Sequence, residues 1–259
     1  MQAEIVILGS GTSMGVPTLG CTCAVCTSTD PRNRRLRPSI AIMWQDHCVV
    51  VDTGPDFREQ ALRAGIRRVD AVLYTHAHAD HILGLDDLRP LSFPHRPGNM
   101  PLYADAGTSS ILERVFDYTF SPESQYPTRA RVKLHPIAGH QTVEVDGARF
   151  QRVPLQHGPT EVSGFRFGNA AYLTDMKTIP ESSLPLLENL DVMILDGLRP
   201  QSHPSHANLE EALGWVDVVK PRRAWLTHMS HEVDHEATEA GFPAHVRLSY
   251  DGLRIPIEL

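Results

Sequence analysis

The chain has 259 residues, of which 41% are hydrophobic and 21% charged, and its formal net charge at pH 7 is -7. This composition is ordinary for a soluble globular protein, and no apolar run approaches the roughly 20 residues of a membrane-spanning helix, so a membrane protein is not expected. The negative charge also argues against a surface that binds polyanions in general.

The first segment, MQAEIVILGSG, has no basic region, and its apolar run of four residues is too short for a secretory signal peptide. We therefore expect a cytoplasmic protein, in which thiols stay reduced and clustered cysteines bind metal more often than they form disulfides. Cys21, Cys23 and Cys26 lie within the string GCTCAVC, but a closed tetrahedral zinc site needs a fourth ligand. Cys48, in an apolar run, is predicted to be a core residue.

The string RNRRLR, at residues 32–37, is the one local concentration of positive charge in the sequence. It contains Arg32, Arg34, Arg35 and Arg37. Such a run is ordinarily a solvated loop, and this is our prediction; contact with an anionic substrate is the alternative.

Short runs rich in Val, Ile and Leu recur along the chain, bounded by Gly, Pro, Asp or Asn, and predict strands. Helical patterns lie between some of them; from 208 to 220, Leu209, Leu213 and Val216 fall on one amphipathic stripe. Strands outnumber helices by about two to one, which is not the strict alternation of a doubly wound parallel sheet. The pattern favours two mixed sheets packed face to face with helices outside. Since no linker is visible, we predict a single domain over residues 1–259.

Several predicted strands end in side chains that can bind metal, and side chains at one sheet edge converge with little entropy left to lose. These side chains are His76, His78, Asp80, His81, His157, Asp175 and His228. His76 and His78, at i and i+2, point the same way from an extended segment, so this segment can face two ions. Two divalent ions about 3.5–4 Å apart can share a hydroxide and stabilise a displacement at phosphorus. Zinc, manganese and iron all suit these ligands.

The string THAHADH resembles the signature of the metallo-β-lactamase superfamily of hydrolases, whose fold is a four-layered αββα sandwich, an α/β architecture with a dinuclear metal site at one sheet edge. The resemblance implies one metal held by His76, His78 and His157, a second held by Asp80, His81 and His228, and Asp175 as the bridge between them. It also implies that Asp52, in VVVDTG, supports the histidine loop without binding metal.

His231 follows His228 by three residues and can reach a neighbouring site more easily than the same ion. With Cys21, Cys23 and Cys26, it would complete a Cys₃His zinc site that clamps the N-terminal loop to the turn carrying His228. This pattern, with the opening GSGTSMGVPTLGCTCAVC, resembles the cyclic-phosphate phosphodiesterase (PhnP-like) family of the carbon–phosphorus lyase pathway over essentially the whole chain. The resemblance implies two Mn²⁺ or Zn²⁺ ions in the active site, one structural Zn²⁺ and a homodimer.

The predicted function is metal-dependent hydrolysis of a small cyclic phosphodiester by a hydroxide bound at the dinuclear site. Phosphoribosyl 1,2-cyclic phosphate and 2′,3′-cyclic nucleotides are the substrates that the resemblance implies. It also implies that His206, in the loop that contains His203, is the general acid; a surface histidine is the alternative. His206 and Asp80 are the predicted catalytic residues. Arg89 either binds a substrate phosphate or pairs with the neighbouring aspartates, Asp86 and Asp87.

Two other functions stay open. The tRNA 3′-processing endoribonuclease shares the fold, the metals and the string HEAT, found here at residues 235–238. In that family HEAT precedes the last metal histidine, whereas here it follows His228, so we interpret it as coincidence. The chain also lacks that enzyme's long tRNA-gripping insertion, and its charge disfavours RNA, so we expect neither a nucleic acid nor a membrane as partner. A non-catalytic nucleotide-binding relative would predict a missing ligand, and none is missing.

Overall fold

Two mixed β-sheets of seven strands each lie at the centre of the protein, which a computed structural model describes over residues 1–93 and 99–259. The first sheet contains β1 (Gln2–Gly9), β2 (Ser39–Trp44), β3 (His47–Val51), β4 (Ala71–Leu73), β5 (Met100–Ala104), β6 (Val132–Pro136) and β14 (Arg254–Glu258), in the order β14-β1-β2-β3-β4-β5-β6. The second contains β7 (Thr142–Val145), β8 (Ala148–His157), β9 (Thr160–Phe167), β10 (Ala170–Leu173), β11 (Val192–Asp196), β12 (Arg223–Thr227) and β13 (Val246–Leu248), in the order β13-β12-β11-β10-β9-β8-β7. Each sheet joins antiparallel and parallel pairs, as predicted.

Short helices cover the outer faces of both sheets. The α-helices are α1 (Phe57–Ala64), α2 (Ala79–Ile82), α3 (Arg89–Ser92), α4 (Ala106–Val115), α5 (Asp117–Phe120), α6 (Leu209–Val219) and α7 (His235–Glu239), and 3₁₀ turns span Pro31–Asn33, Leu85–Leu88 and Glu181–Leu187. Within the described part of the chain, no helix has both the length and the apolarity needed to cross a bilayer.

Burial divides the protein into four layers. In β1, Ile5 and Ile7 join the core between the two sheets, whereas Val6 and Leu8 join the core between the first sheet and its helices. This period of two is what a strand buried on both faces requires. A third core packs the second sheet against α6 through residues such as Val216. The predicted αββα sandwich is therefore confirmed.

Helix α6 agrees closely with its sequence prediction. The Asn208 side chain accepts a hydrogen bond from the Glu211 backbone N–H, and the Glu211 carboxylate accepts one from the Asn208 N–H. This capping box satisfies two backbone donors at the first turn. Lys220 ends the helix in the left-handed conformation, with its N–H bonded to the carbonyl of Val216.

The carboxyl ends of parallel strands bring the predicted ligands to one edge of the sandwich. β10, β11 and β12 run parallel, and Asp175, Asp196 and His228 lie at or just beyond their carboxyl ends. Asp175 (φ 54°) and His228 (φ 61°) adopt the left-handed backbone region, as does Asp52 (φ 65°) after β3. Non-glycine residues rarely occupy this region, and such outliers concentrate at functional sites.

Gly54, in the loop after β3, allows this loop to pack directly on the segment that carries the histidines. A Cβ at Gly54 would lie 1.9 Å from the carbonyl oxygen of Asp80, and one at Gly84 would lie 2.0 Å from the carbonyl oxygen of Gly54. Backbone hydrogen bonds from Thr53 to His81 (2.8 Å) and from Gly84 to Thr53 (2.8 Å) join the same two segments. Only glycine permits so close an approach between two backbones.

Within the arginine run at residues 32–37, Arg35 departs from the solvated loop that the sequence predicts. The Arg35 side chain is buried and donates to the carbonyl oxygens of Ser230 (3.0 Å) and Val233 (2.8 Å) and to Asn33 Oδ1 (3.0 Å). Burial lowers the pKa of Arg35 to about 10, so the guanidinium keeps its charge at neutral pH. Because the two carbonyl partners lie nearly 200 residues away in sequence, the local density of positive charge could not indicate that Arg35 is buried.

The other arginines of the run lie at the surface, and two of them form ion pairs with aspartates. Arg32 pairs with Asp30 (Nη2 to Oδ2, 2.7 Å), and Arg37 pairs with Asp56 (Nη1 to Oδ1, 2.9 Å). Arg34 is exposed. The run therefore acts chiefly as an attachment of the N-terminal loop to the rest of the fold.

Replacement of Arg35 with Ala is expected to lower the free energy of unfolding by about 3 kcal/mol, because it removes three buried hydrogen bonds of a charged group together with the packing of its side chain. Urea denaturation followed by circular dichroism measures the change. Arg34→Ala, at the exposed neighbouring position, is the matched control and should stay within about 0.5 kcal/mol of wild type. Equal effects of the two substitutions would contradict the structural role of Arg35.

Candidate metal centres

The first group of candidate ligands combines two strand ends with the loop after β4. His76, His78, His157 and Asp175 each offer a ligand atom within 4.8 Å of the others. Nε2 of His76 lies 2.9 Å from Nδ1 of His78 and 3.9 Å from Oδ1 of Asp175. All but His78 are buried, so this histidine forms the solvent side of the group.

The second group shares Asp175 with the first and is buried throughout. It consists of Asp80, His81, Asp175 and His228, again with ligand atoms within 4.8 Å of one another. Nε2 of His81 lies 3.2 Å from Oδ2 of Asp175, and Nε2 of His228 lies 3.2 Å from Oδ1 of Asp175. Because Oδ1 of Asp175 also lies 3.9 Å from Nε2 of His76 in the first group, this carboxylate stands between the two groups, as a residue shared by two metal sites would.

The hydrogen bonding of the buried ring nitrogens indicates whether these residues fit a pair of cations. Among the described residues, His81 Nε2, His157 Nδ1 and both ring nitrogens of His228 are buried without a hydrogen-bond partner. Buried polar atoms in proteins nearly always have a partner, so such a concentration of orphan nitrogens needs an explanation. Imidazole nitrogens and carboxylate oxygens are the donor set of zinc, manganese and iron sites. The residues therefore fit two divalent metal ions.

The pKa shifts at the site fall into two opposed sets. Burial lowers the pKa of His157 to about 4 and that of His76 well below its ordinary value, so both imidazoles are neutral, the form that binds metal. Burial also acts to lower the pKa of His228, but Asp175 and Asp80 raise it to about 9. The buried carboxylates thus require positive charge nearby, which divalent cations supply.

Asp52 supports the histidine loop and stands outside both groups. Its Oδ2 lies 2.7 Å from Nδ1 of His81, and its two carboxylate oxygens accept hydrogen bonds from the backbone N–H and the hydroxyl of Thr75, both at 2.8 Å. The carboxylate fixes Nδ1 of His81 as the hydrogen-bonded nitrogen, so Nε2 faces Asp80 and Asp175. Such supporting carboxylates orient ligating imidazoles in metal sites.

The three clustered cysteines meet His231, as the sequence predicts. Sγ of Cys21 and Sγ of Cys23 lie 3.3 Å and 3.4 Å from Nδ1 of His231, and Cys26 completes the group. Hydrogen bonds from the Cys26 backbone N–H and from His231 lower the pKa of Cys23 to about 6, so this thiol is ionised at neutral pH. Thiolates are the form that binds zinc. A Cys₃His set fits a closed structural zinc site.

Backbone hydrogen bonds connect the N-terminal loop to the residue that follows His228, a candidate ligand of the second group. The N–H of Thr12 donates to the carbonyl of Met229 (3.1 Å), and the N–H of Met229 donates to the carbonyl of Ser10 (3.0 Å). Met229 follows His228 directly, so the N-terminal loop holds the turn between His228 and His231. Cys48 lies elsewhere, buried in the core between the first sheet and its helices, as expected.

His206 lies against the candidate ligands. Its ring centroid is 4.5 Å from that of His157 and 4.7 Å from that of His228, and its Nδ1 is 2.6 Å from Oδ2 of Asp196. His203 is one ring further out, at 5.0 Å from His206. Asp196 did not enter the sequence prediction, although a signal was present, since it ends the strand VMILDG as other ligand-type residues end theirs.

Arg89 pairs with a neighbouring aspartate. Its Nε lies 3.2 Å from Oδ2 of Asp86, whose other oxygen accepts a hydrogen bond from the hydroxyl of Tyr118 at 2.7 Å. Of the two sequence interpretations, the structure contains this ion pair. Phosphate binding by Arg89 stays a prediction.

Comparison with known proteins agrees with this geometry. Residues 47–229 match the family model of the beta-lactamase superfamily domain. The crystal structure of a diphosphatase from the PhnP family is 48% identical in sequence, covers 100% of this chain and 98% of its own, and superimposes with a TM-score of 0.94.

Two curated relatives are longer than the matched region. An octanoyltransferase of Porphyromonas gingivalis is 35% identical over 98% of this chain and 51% of its own length. A ribonuclease Z of Bradyrhizobium diazoefficiens is 28% identical over 54% of this chain and 47% of its own. The chain thus spans about half the length of these two relatives. On the family match and the full-length likeness to the diphosphatase, the chain belongs to the beta-lactamase superfamily and, within it, to the PhnP family.

Proposed function

We propose that the protein hydrolyses small cyclic phosphodiesters at the two groups that share Asp175. Its family makes the chain a metal-dependent hydrolase. The observation that carries the proposal is the position of the Asp175 carboxylate, with one oxygen toward His76 of the first group and the other toward His81 of the second. Two divalent ions, when bound there, would activate water and stabilise the charge that develops on the phosphate. The ions that we propose for these two groups are Mn²⁺ or Zn²⁺, with one structural Zn²⁺ at the cysteine group.

The chain's own residues would orient the reactants. Asp52 fixes the His81 ring, and the buried walls of both groups limit the water that reaches the phosphate. Asp80 belongs to the second group and would act as a ligand. His206 stands beside both groups and is the residue that we assign to protonate the leaving oxygen, a step worth roughly 10² to 10⁴ in rate.

Phosphoribosyl 1,2-cyclic phosphate and 2′,3′-cyclic nucleotides are the proposed substrates. The likeness to a PhnP-family diphosphatase supports a second candidate, hydrolysis of a phosphoanhydride in a diphosphate. Octanoyl transfer is not proposed, because the chain spans only 51% of that relative. A homodimer that acts on a small molecule in the cytoplasm completes the proposal.

The ribonuclease relatives keep tRNA 3′ processing as the rival function. The HEAT string does not favour it. His235, its first residue, is buried beside Tyr250 and stands outside the groups of candidate ligands found among the described residues. Its backbone N–H donates to Asn33 Oδ1 at 2.9 Å, and its Nε2 is 3.7 Å from Glu239. These contacts give HEAT a structural role in this chain.

A panel of substrates tests the proposal. We expect the manganese-loaded protein to hydrolyse bis(p-nitrophenyl) phosphate and a 2′,3′-cyclic nucleotide, and to leave a tRNA precursor with a 3′ extension intact. Product formation followed by chromatography measures all three reactions, together with cleavage of a nucleoside diphosphate. No hydrolysis of the first two substrates would contradict the proposal, and faster cleavage of the diphosphate would favour the second candidate.

The number of bound metals gives a separate prediction. Elemental analysis of wild type should find about three ions per chain, and Cys23→Ser should reduce the number to about two, because it removes one thiolate from the Cys₃His set. Cys48→Ala is the matched control and should keep all three, since Cys48 lies in a hydrophobic core. Full metal content in Cys23→Ser would contradict a zinc site at the cysteine loop.

The role of His206 predicts a dependence on the leaving group. In His206→Ala, hydrolysis of a 2′,3′-cyclic nucleotide, which releases an alkoxide, should fall by roughly 10² to 10⁴ in kcat because the leaving oxygen needs a proton. Release of p-nitrophenolate, a stable anion, should change far less. Metal content should stay at the wild-type value. Equal losses on the two substrates would show that His206 is not the proton donor.

A further inference from the structure

We propose that Asp196 is a positioning residue that acts through His206, by holding its ring so that Nε2 faces the substrate. This inference rests on the proposed function. Asp196 ends β11, which lies between β10 and β12 in the second sheet, and it is fully buried. Its Oδ2 lies 2.6 Å from Nδ1 of His206. Its other oxygen has no hydrogen-bond partner among the described residues.

Burial of this carboxylate needs a physical reason. An ionised carboxyl group loses much hydration free energy inside a protein unless it is paired, and the pairing that the contacts provide is with His206. The position resembles that of Asp52, which holds Nδ1 of His81 at 2.7 Å. Each carboxylate selects which nitrogen of its histidine is free to act, since the other nitrogen is occupied by a hydrogen bond.

His206 needs such an anchor because it lies in a loop. Backbone hydrogen bonds from Leu198 to Ala207 (3.0 Å) and from Ala207 to Met176 (2.8 Å) fix the loop, but they do not fix the ring. The ring is stacked on His228 at an interplanar angle of 13° and meets His157 edge-on at 77°. With Nδ1 held by a strand end, Nε2 is the nitrogen available to a leaving group.

A third metal ion is the alternative explanation, since Asp196, His206 and His228 also offer ligand atoms within 4.8 Å of one another. Two ligands of one zinc ion, each about 2.0–2.2 Å from it, lie roughly 3.3–3.6 Å apart at the tetrahedral angle. The contact between Asp196 and His206 is shorter, at 2.6 Å. At 2.6 Å the two side chains are within hydrogen-bond distance of each other, and metal content separates this arrangement from a shared ion.

A double-mutant cycle tests the inference. On a 2′,3′-cyclic nucleotide, Asp196→Ala should reduce kcat by about 10- to 100-fold with little change in KM, because the proton donor is misaligned while substrate binding is kept. The double variant with His206→Ala should be no slower than His206→Ala alone. Asp196→Asn, whose amide oxygen still accepts from Nδ1, should recover part of the loss and guards against a variant that fails to fold. Multiplied losses in the double variant would overturn the inference.

Two measurements do not depend on turnover. In the zinc-loaded protein, ¹⁵N NMR should report His206 with its proton on Nδ1, and Asp196→Ala should change that signal, which His206→Ala identifies by its disappearance. Asp191→Ala, just before the other end of the same strand, is the matched control and should leave the signal unchanged. Metal content of Asp196→Ala should equal that of wild type, and loss of an ion would overturn the inference in favour of a ligand.

These readouts separate two kinds of failure. If wild type hydrolyses no phosphodiester, the proposed function fails, and the NMR signal still decides whether Asp196 orients His206. If wild type is active and the His206 signal is the same in Asp196→Ala, the inference about Asp196 fails while the proposed function stands.

Discussion

The candidate active site depends on a buried carboxylate, that of Asp175, placed between imidazoles that belong to different groups. Its charge cannot be buried without compensation, and Asp175 acts with Asp80 to raise the pKa of His228 against the effect of burial. The same requirement for positive charge makes the groups suitable for divalent cations. The buried charge of Asp175 therefore favours metal ions at this position, and it also favours histidines packed close to its carboxylate.

The fold meets this requirement by ending strands in unusual backbone conformations. Asp52, Asp175 and His228 all have positive φ values, which turn each side chain into the site directly after its strand. Gly54 lets the loop after β3 contact the backbone of Asp80, and the N-terminal loop binds the turn after His228. Contacts with a neighbouring segment thus keep the unfavourable backbone conformation at these strand ends in place. Residues that never touch substrate would in this way set the geometry of those that do.

The cysteine group and Arg35 attach the same turn from two directions. His231 joins the cysteines, while Arg35 binds the carbonyls of Ser230 and Val233 on either side of it. A metal ion and a buried guanidinium would hold one short segment, residues 230–233, which begins two positions after the candidate ligand His228. The N-terminal loop would in this way help to position the candidate active site, although it contributes no residue to the two groups that share Asp175.

The layer architecture and the candidate ligands could be predicted from the sequence, because both depend on short-range spacing. Residues along a strand alternate between its two faces, and metal-binding side chains follow several strands closely. The prediction failed where the partner is distant in sequence. A local run of charge could not reveal that Arg35 is buried against carbonyls nearly 200 residues away. Likewise, no local pattern showed that position 54 must be glycine because the Asp80 backbone packs against it. Asp196 carried the pattern of a ligand, yet only the tertiary structure paired it with His206. These contacts could be seen only in the folded protein, because they depend on how segments that are distant in sequence approach each other. A local sequence pattern contains no information about that approach.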